Sequence, residues 1–376
     1  MSTDTQALQR LAEFGQSVWI DFLSRELLET GELARLVRED AVVGVTSNPS
    51  IFEQAISTGD AYDAQLRELL PRGLSGKNIF LELACTDVAA GCDLLRPVWE
   101  QRGGRDGYVS IEVDPTLAYD TVAQYEEARH LHERIDRPNL LVKIPATKPG
   151  VTAIADSIAA GRSINVTLVF SVERYAAAAC AYQEGLARFH AGGGNLSRVH
   201  SVASFFVSRV DSEADRRLDA SGAPAELKGK LGIANAKLAY ARYRELFSLD
   251  NELWRELSAA GAHPQRCLWA STSTKNPAYR DVLYVEELIG PDTVNTMPEP
   301  TLSAFQDHGR VAETLTQGVD EANRLIERLA EAGVDYDDVV ETLETEGIEK
   351  FSSAFAKLLA GLEEKRRTLD MAGARR

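Results

Sequence analysis

The chain has 376 residues, 44% hydrophobic and 26% charged, with a formal net charge of −16. This is the balance of a globular protein with a substantial core, and its acidity argues against a nucleic-acid or anionic-membrane partner while leaving room for a local basic pocket. The opening MSTDTQALQRLAEFG lacks the apolar centre of a secretory signal, and no later apolar run is long enough to span a bilayer. Cys85, Cys92, Cys180 and Cys267 show neither CxxC spacing nor clustering with histidine, so buried reduced thiols in a cytoplasmic setting are expected.

Short β-branched runs that end in polar residues recur along the chain. In order they are SVWID (17–21), VVGVTSN (42–48), YVSIEVD (108–114), LLVKIPAT (140–147), INVTLVFS (164–171), VHSVASFF (199–206), CLWAST (267–272) and TVNTMPEP (293–300). Between most of them lie segments of helical periodicity, such as SRELLETGELARLVRED and SVERYAAAACAYQEGLARF. Strand-then-helix repetition implies parallel strands joined by right-handed crossovers. Eight runs predict a closed (β/α)8 TIM-type barrel with additional helices. A doubly wound sheet is second, because no Gly-rich dinucleotide fingerprint follows the first strand.

Two connections, 49–107 and 211–264, carry extra helical pattern. The tail GIEKFSSAFAKLLAGLEEKRRTL has the apolar spacing of a helix packed on the barrel. No low-complexity linker separates these parts, so one domain over 1–376 is expected. The glycines of HAGGGNLSRVH read as a loop after a helix.

Chemistry in such a barrel gathers at the C-terminal strand ends. The polar residues found there include Asp21, Thr46, Asn48, Glu112, Lys143, Asn165, Thr167, Ser204, Arg209, Ser271 and Lys275. Lys143 interrupts an apolar run. It either snorkels to water or an ion pair, or is buried so that desolvation favours a neutral amine able to attack a carbonyl. A Schiff base on Lys143 needs an acid/base relay, which Glu112 supplies through a water held by Thr167. It also needs a group to take the proton from a leaving hydroxyl, for which Asp21 is suited. Asn48 and Asn165 can hold sugar hydroxyls, and Ser204, Arg209 and Ser271 suit a phosphate. Each has a plainer alternative. Asp21 could cap a helix, Asn48 could start a turn, Glu112 could face solvent and Arg209 could join a surface ion pair.

GVTSNPSIFEQAI, YVSIEVDP, LLVKIPAT, INVTLVFS, ASFFVSRVD and WAST resemble, in order and spacing, the signature segments of transaldolase, from about Val18 to about Pro298. The resemblance implies a cofactor-free enzyme, monomeric or homodimeric, that transfers a dihydroxyacetone unit between sugar phosphates. It implies Lys143 as the Schiff-base lysine, Glu112 and Thr167 as the relay, and Asp21 as the acid/base of bond cleavage. Asn48 and Asn165 would steady the bound unit, and Ser204, Arg209 and Ser271 would bind phosphate. Many members follow the seventh-strand serine with Phe-Arg-Asn. Here the text is Ser271-Thr-Ser-Thr-Lys275-Asn276, which leaves Lys275 as the nearest basic candidate for a second phosphate ligand.

The alternative enzyme is a fructose 6-phosphate aldolase that releases free dihydroxyacetone. In that relative a glutamine stands at the position of Glu112, and a tyrosine placed to protonate the carbanion stands at that of Phe206, which is expected here to line the substrate site, so both positions read as transferase. A catalytically dead barrel would have lost Lys143 or its relay. A metal-dependent aldolase would need histidines at strand ends, and His130, His132, His190, His200, His263 and His308 form no such pattern.

Overall fold

A computed structural model describes residues 7–57 and 59–373. Eight parallel strands close on themselves in the order β1 to β8: β1 (Gln16–Ile20), β2 (Val42–Val45), β3 (Tyr108–Glu112), β4 (Leu140–Pro145), β5 (Ile164–Val169), β6 (Ser201–Phe206), β7 (Arg266–Ala270) and β8 (Thr293–Met297). Closure is made by β1 on β8, with Gln16 opposite Thr293 and Ile20 opposite Met297. Every run read from the sequence holds a strand, because strands covered on both faces must be apolar almost throughout. Most end two or three residues earlier than read. TVNTMPEP and VVGVTSN overrun by three residues each, and the last residues of the former, Glu299 and Pro300, open the helix Glu299–His308, as a proline in the first helical turn permits.

Alternation along the strands sends every second side chain inward. The lower half of the interior is filled by Trp19, Tyr108, Leu141, Val202, Leu268 and Val294, which share one cluster. Trp19 fits only because β2 offers Gly44 beside it: a Cβ there would lie 2.4 Å from the indole. The indole Nε1 donates to Asp106 Oδ1 at 3.2 Å, and Asp106 also accepts from Ser17 at 2.9 Å and Arg266 at 3.0 Å. These hydrogen bonds tie β1 and β7 to the segment before β3 at the lower end of the barrel.

The long connections are helical, as their periodicity implies. The first holds Pro49–Ser57, Asp63–Leu69 and Gly76–Gln101, and the second holds Ser208–Ser221, Leu231–Leu246 and Glu252–Ala259. The block AELKGKLGIANAKLAYARYRELF is interrupted at its start. Gly229 sits at φ +67°, a left-handed turn that ends the short segment before Leu231. The alternation fails between β7 and β8, where only Leu283–Glu286 is helical. The extended loop that results carries Lys275 to the upper rim.

The C-terminal helix begins at Tyr336, earlier than the tail read from the sequence, and runs to Gly373. It crosses the C-terminal end of the barrel. Phe355 meets Phe80 edge-on at 5.5 Å, and Gly347 lies against Leu168 and Phe170. Three cysteines are buried and all four are free, but Cys180 is exposed, on the outer face of Val172–Ala191. For that thiol the expectation of burial was wrong. Among the described residues no helix is long and apolar enough to cross a membrane.

Candidate active site

The parallel register sets Glu112 opposite Lys143, Lys143 opposite Asn165, and Pro145 opposite Thr167. Lys143 does not snorkel: it is 4% exposed, inside the upper barrel. Its Nζ donates to the Ser47 carbonyl at 3.0 Å and lies 3.7 Å from Glu112 Oε2. That separation is an ion-pair contact, too long for the 2.7–2.9 Å or so of a charge-assisted hydrogen bond. Glu112 Oε2 and Thr167 Oγ1 are both buried without a hydrogen-bond partner. Thr167 stands at an irregularity. Leu168 has φ 55°, and the β5–β6 register shifts between Val166 and Val169, the signature of a bulge that re-aims side chains at a barrel rim.

Asp21 follows β1 and accepts from Thr46 Oγ1 at 2.8 Å, and Thr46 Oγ1 in turn lies 2.7 Å from Thr296 Oγ1. It is not a helix cap: Ser24 takes that place, accepting from the Leu27 amide at 3.1 Å. Burial pushes the Asp21 carboxyl above its ordinary range, against the opposing pull of Lys143, Thr46, Arg209 and Lys275. Burial also pushes Glu112 up, to about 7, with Lys143 opposing it and the charge of Asp21 adding to the rise. Two carboxyls with raised pKa values beside one amine form an acid/base set tuned toward neutral pH.

Other predicted residues take different places from those expected. Asn48 Oδ1 accepts from the amides of Ser50 and Ile51 at 3.0 and 3.1 Å, so it caps Pro49–Ser57 and has only its amide nitrogen to offer a ligand. Asn165 is fully buried, donating to Ser110 Oγ at 3.1 Å and accepting from Ser204 Oγ at 2.7 Å. Ser204 therefore joins this inner network with Asn165. Inward alternation places it one layer below the rim.

The hydroxyl that sits with Ser271 is Ser208, at 2.9 Å, where the helix Ser208–Ser221 begins. Ser271 holds φ 56° and accepts the Ser208 amide through its carbonyl at 3.0 Å. Next on that helix is Arg209, with a buried Nη1 that has no partner and a pKa lowered by burial. Lys275 is exposed as a residue, yet its ammonium is partly desolvated at the rim, where it donates to Ser273 Oγ at 2.7 Å. Its ammonium is pushed down by burial and by Arg209, while Asp21 acts the other way. Two cations and two hydroxyls near the start of a helix supply the positive charge and donors that an anion at the rim would need. The histidines lie elsewhere: His200 and His263 stack at 4.6 Å, before β6 and β7 at the opposite end.

Sequence reasoning missed Thr296, Ser110, Ser208 and the Ser47 carbonyl. Inward parity on β3 and β8 marked Ser110 and Thr296. Only the folded turn places the Ser47 carbonyl.

Glu112→Gln provides a test of these electrostatics. The unfolded carboxyl releases its proton near 4.5 and the folded one near 7, so the folded state binds more protons between those values and loses stability as pH rises through them. The cost is complete well above pH 7, at roughly 3 kcal/mol. Glutamine removes it. Thermal melts at pH 8 are expected to show Glu112→Gln with a Tm higher by roughly 2–5 °C, and the difference should shrink toward pH 5. An unchanged or lower Tm at pH 8 contradicts the assignment.

The fold and these side chains define a closed parallel barrel whose chemistry centres on a buried lysine between two carboxyls. The family model described as Transaldolase/Fructose-6-phosphate aldolase matches residues 18–362. The chain is 51% identical over 362 residues to a transaldolase of Arthrobacter sp. (strain FB24), covering 96% of this chain and 97% of that one. It is 52% identical over 359 residues to transaldolase 1 of Streptomyces coelicolor, covering 95% and 94%. With a transaldolase of Mycobacterium bovis it shares 48% over 375 residues, 99% and 100% of the two chains. The chain belongs to the Transaldolase/Fructose-6-phosphate aldolase family. The match runs past Pro298, where the sequence resemblance ended, and takes in most of the C-terminal helix.

Proposed function

We propose that this chain is a cofactor-independent transaldolase of the non-oxidative pentose phosphate pathway, acting in the cytoplasm as a monomer or homodimer. The donor is sedoheptulose 7-phosphate or fructose 6-phosphate, and the acceptor is glyceraldehyde 3-phosphate or erythrose 4-phosphate. The observation that carries this reading is the Lys143 amine, held inside the barrel by the Ser47 carbonyl and flanked by Glu112.

The Lys143 amine attacks the donor's ketone carbon, and the resulting carbinolamine loses water to give an imine. Glu112, poised near neutrality, and Thr167 shuttle the protons through a water. Asp21 takes the proton of the C4 hydroxyl as the C3–C4 bond breaks, and the aldose phosphate leaves. The electron pair of that bond stays delocalised over the imine, which makes transfer to an aldehyde the productive outcome. Asp21 returns its proton to the new hydroxyl, and hydrolysis of the imine frees the product. The Asn48 amide nitrogen reaches toward the bound unit, Asn165 supports it from below, and Phe206 walls the site. Arg209, Ser271, Ser208 and Lys275 receive the phosphate.

The test supplies fructose 6-phosphate with and without erythrose 4-phosphate, measuring glyceraldehyde 3-phosphate and free dihydroxyacetone. Transfer at least about tenfold faster than release of free dihydroxyacetone is expected. Comparable release without acceptor identifies the aldolase alternative instead.

A further inference from the structure

Arg209 is held in an unusual way for a cation inside a protein. Among the described residues it joins no ion pair, and its buried Nη1 has no acceptor. Its guanidinium carbon instead lies over two aromatic rings, 5.1 Å from Phe206 and 5.6 Å from Phe351. Phe206 ends β6, whereas Phe351 is a buried residue of the C-terminal helix. Asp21, Glu112 and Glu346 act on Arg209 only through their charge, and Glu346 is itself bridged by Lys350 at 2.9 Å.

We propose that Phe351 is a positioning residue for the substrate's phosphate, fixing Arg209 from the C-terminal helix while leaving its N–H donors uncommitted. The inference rests on the transaldolase reading. A carboxylate could fix Arg209 as firmly, but it would occupy the donors and cancel the charge that phosphate needs. A ring attracts the cation through its π face and accepts no strong hydrogen bond. An arginine already restrained loses less side-chain entropy when phosphate binds. The C-terminal helix has other anchors, with Phe355 against Phe80 and Ile348, Leu358 and Leu362 buried. Removing one ring therefore leaves the helix docked.

The test compares Phe351→Leu, Phe351→Tyr and Leu358→Ala with wild type for transfer from fructose 6-phosphate to erythrose 4-phosphate, with inorganic phosphate as inhibitor. In Phe351→Leu, the KM for fructose 6-phosphate and the phosphate inhibition constant should rise together by roughly 3- to 10-fold. The fall in kcat should be much smaller, and Phe351→Tyr, which keeps the ring, should restore both constants. Leu358→Ala loosens the same helix without touching Arg209 and should lower Tm with little change in either constant. A fall in kcat with both constants at wild-type values overturns the inference, as does an equal rise of both in Leu358→Ala. Those results in an active wild type refute the role of Phe351 alone, whereas an inactive wild type refutes the functional reading and the inference with it.

Discussion

Lys143→Met is expected to reduce turnover by at least about 10⁴-fold, because the covalent route disappears and no neighbouring amine can replace it. Lys275 stands at the rim, donating to Ser273, and has no part in the inner layer. Methionine matches the lysine stem and fills the slot between Leu141 and Pro145 without a polar atom that needs a partner. The protein should therefore fold. With the amine gone, Glu112 loses the charge that opposes its rise, so its carboxyl should titrate still higher. Steady-state rates and a thermal melt on the same preparation check both points. Substantial residual transfer in a folded Lys143→Met protein contradicts the assignment.

Asp21→Asn should cost about 10²- to 10⁴-fold in kcat, the usual scale for loss of a positioned acid/base group. The loss should fall on one step. Imine formation depends on Lys143 and Glu112, so the variant should still bind fructose 6-phosphate covalently but fail to break its C3–C4 bond. Borohydride reduction of Asp21→Asn should leave a six-carbon phosphorylated adduct, where wild type leaves a three-carbon one. Asparagine can keep accepting from Thr46, which then accepts from Thr296, so the geometry of the rim survives. A three-carbon adduct formed at the wild-type rate would remove Asp21 from the cleavage step.

The barrel was legible in the sequence because parallel strands covered on both faces are written as apolar runs, and polar residues stand out where the runs end. Lys143 and Glu112 could be paired for the same reason: strands adjacent in sequence are adjacent in the barrel, and the register sets the two opposite one another. Depth was harder to read. Ser204 looks like a rim residue in ASFFVSRVD, yet inward alternation sinks it one layer to Asn165. Its neighbour Ser208 reaches Ser271 because a helix begins there. Asn48 illustrates a residue whose turn reading describes its carbonyl oxygen, while its amide nitrogen stays available. Nothing in the sequence tied Phe351 to Arg209. Its apolar spacing in the tail marks a packed face, but the element it packs on is fixed only by how the helix crosses the barrel.

The most direct measurement is borohydride trapping with fructose 6-phosphate on the wild type and on Lys143→Met, followed by intact mass and peptide mapping. The predicted result is a three-carbon adduct on the peptide that contains Lys143, absent from the variant. A folded, wild-type protein that yields no adduct, or one that carries it on another lysine, would contradict the account.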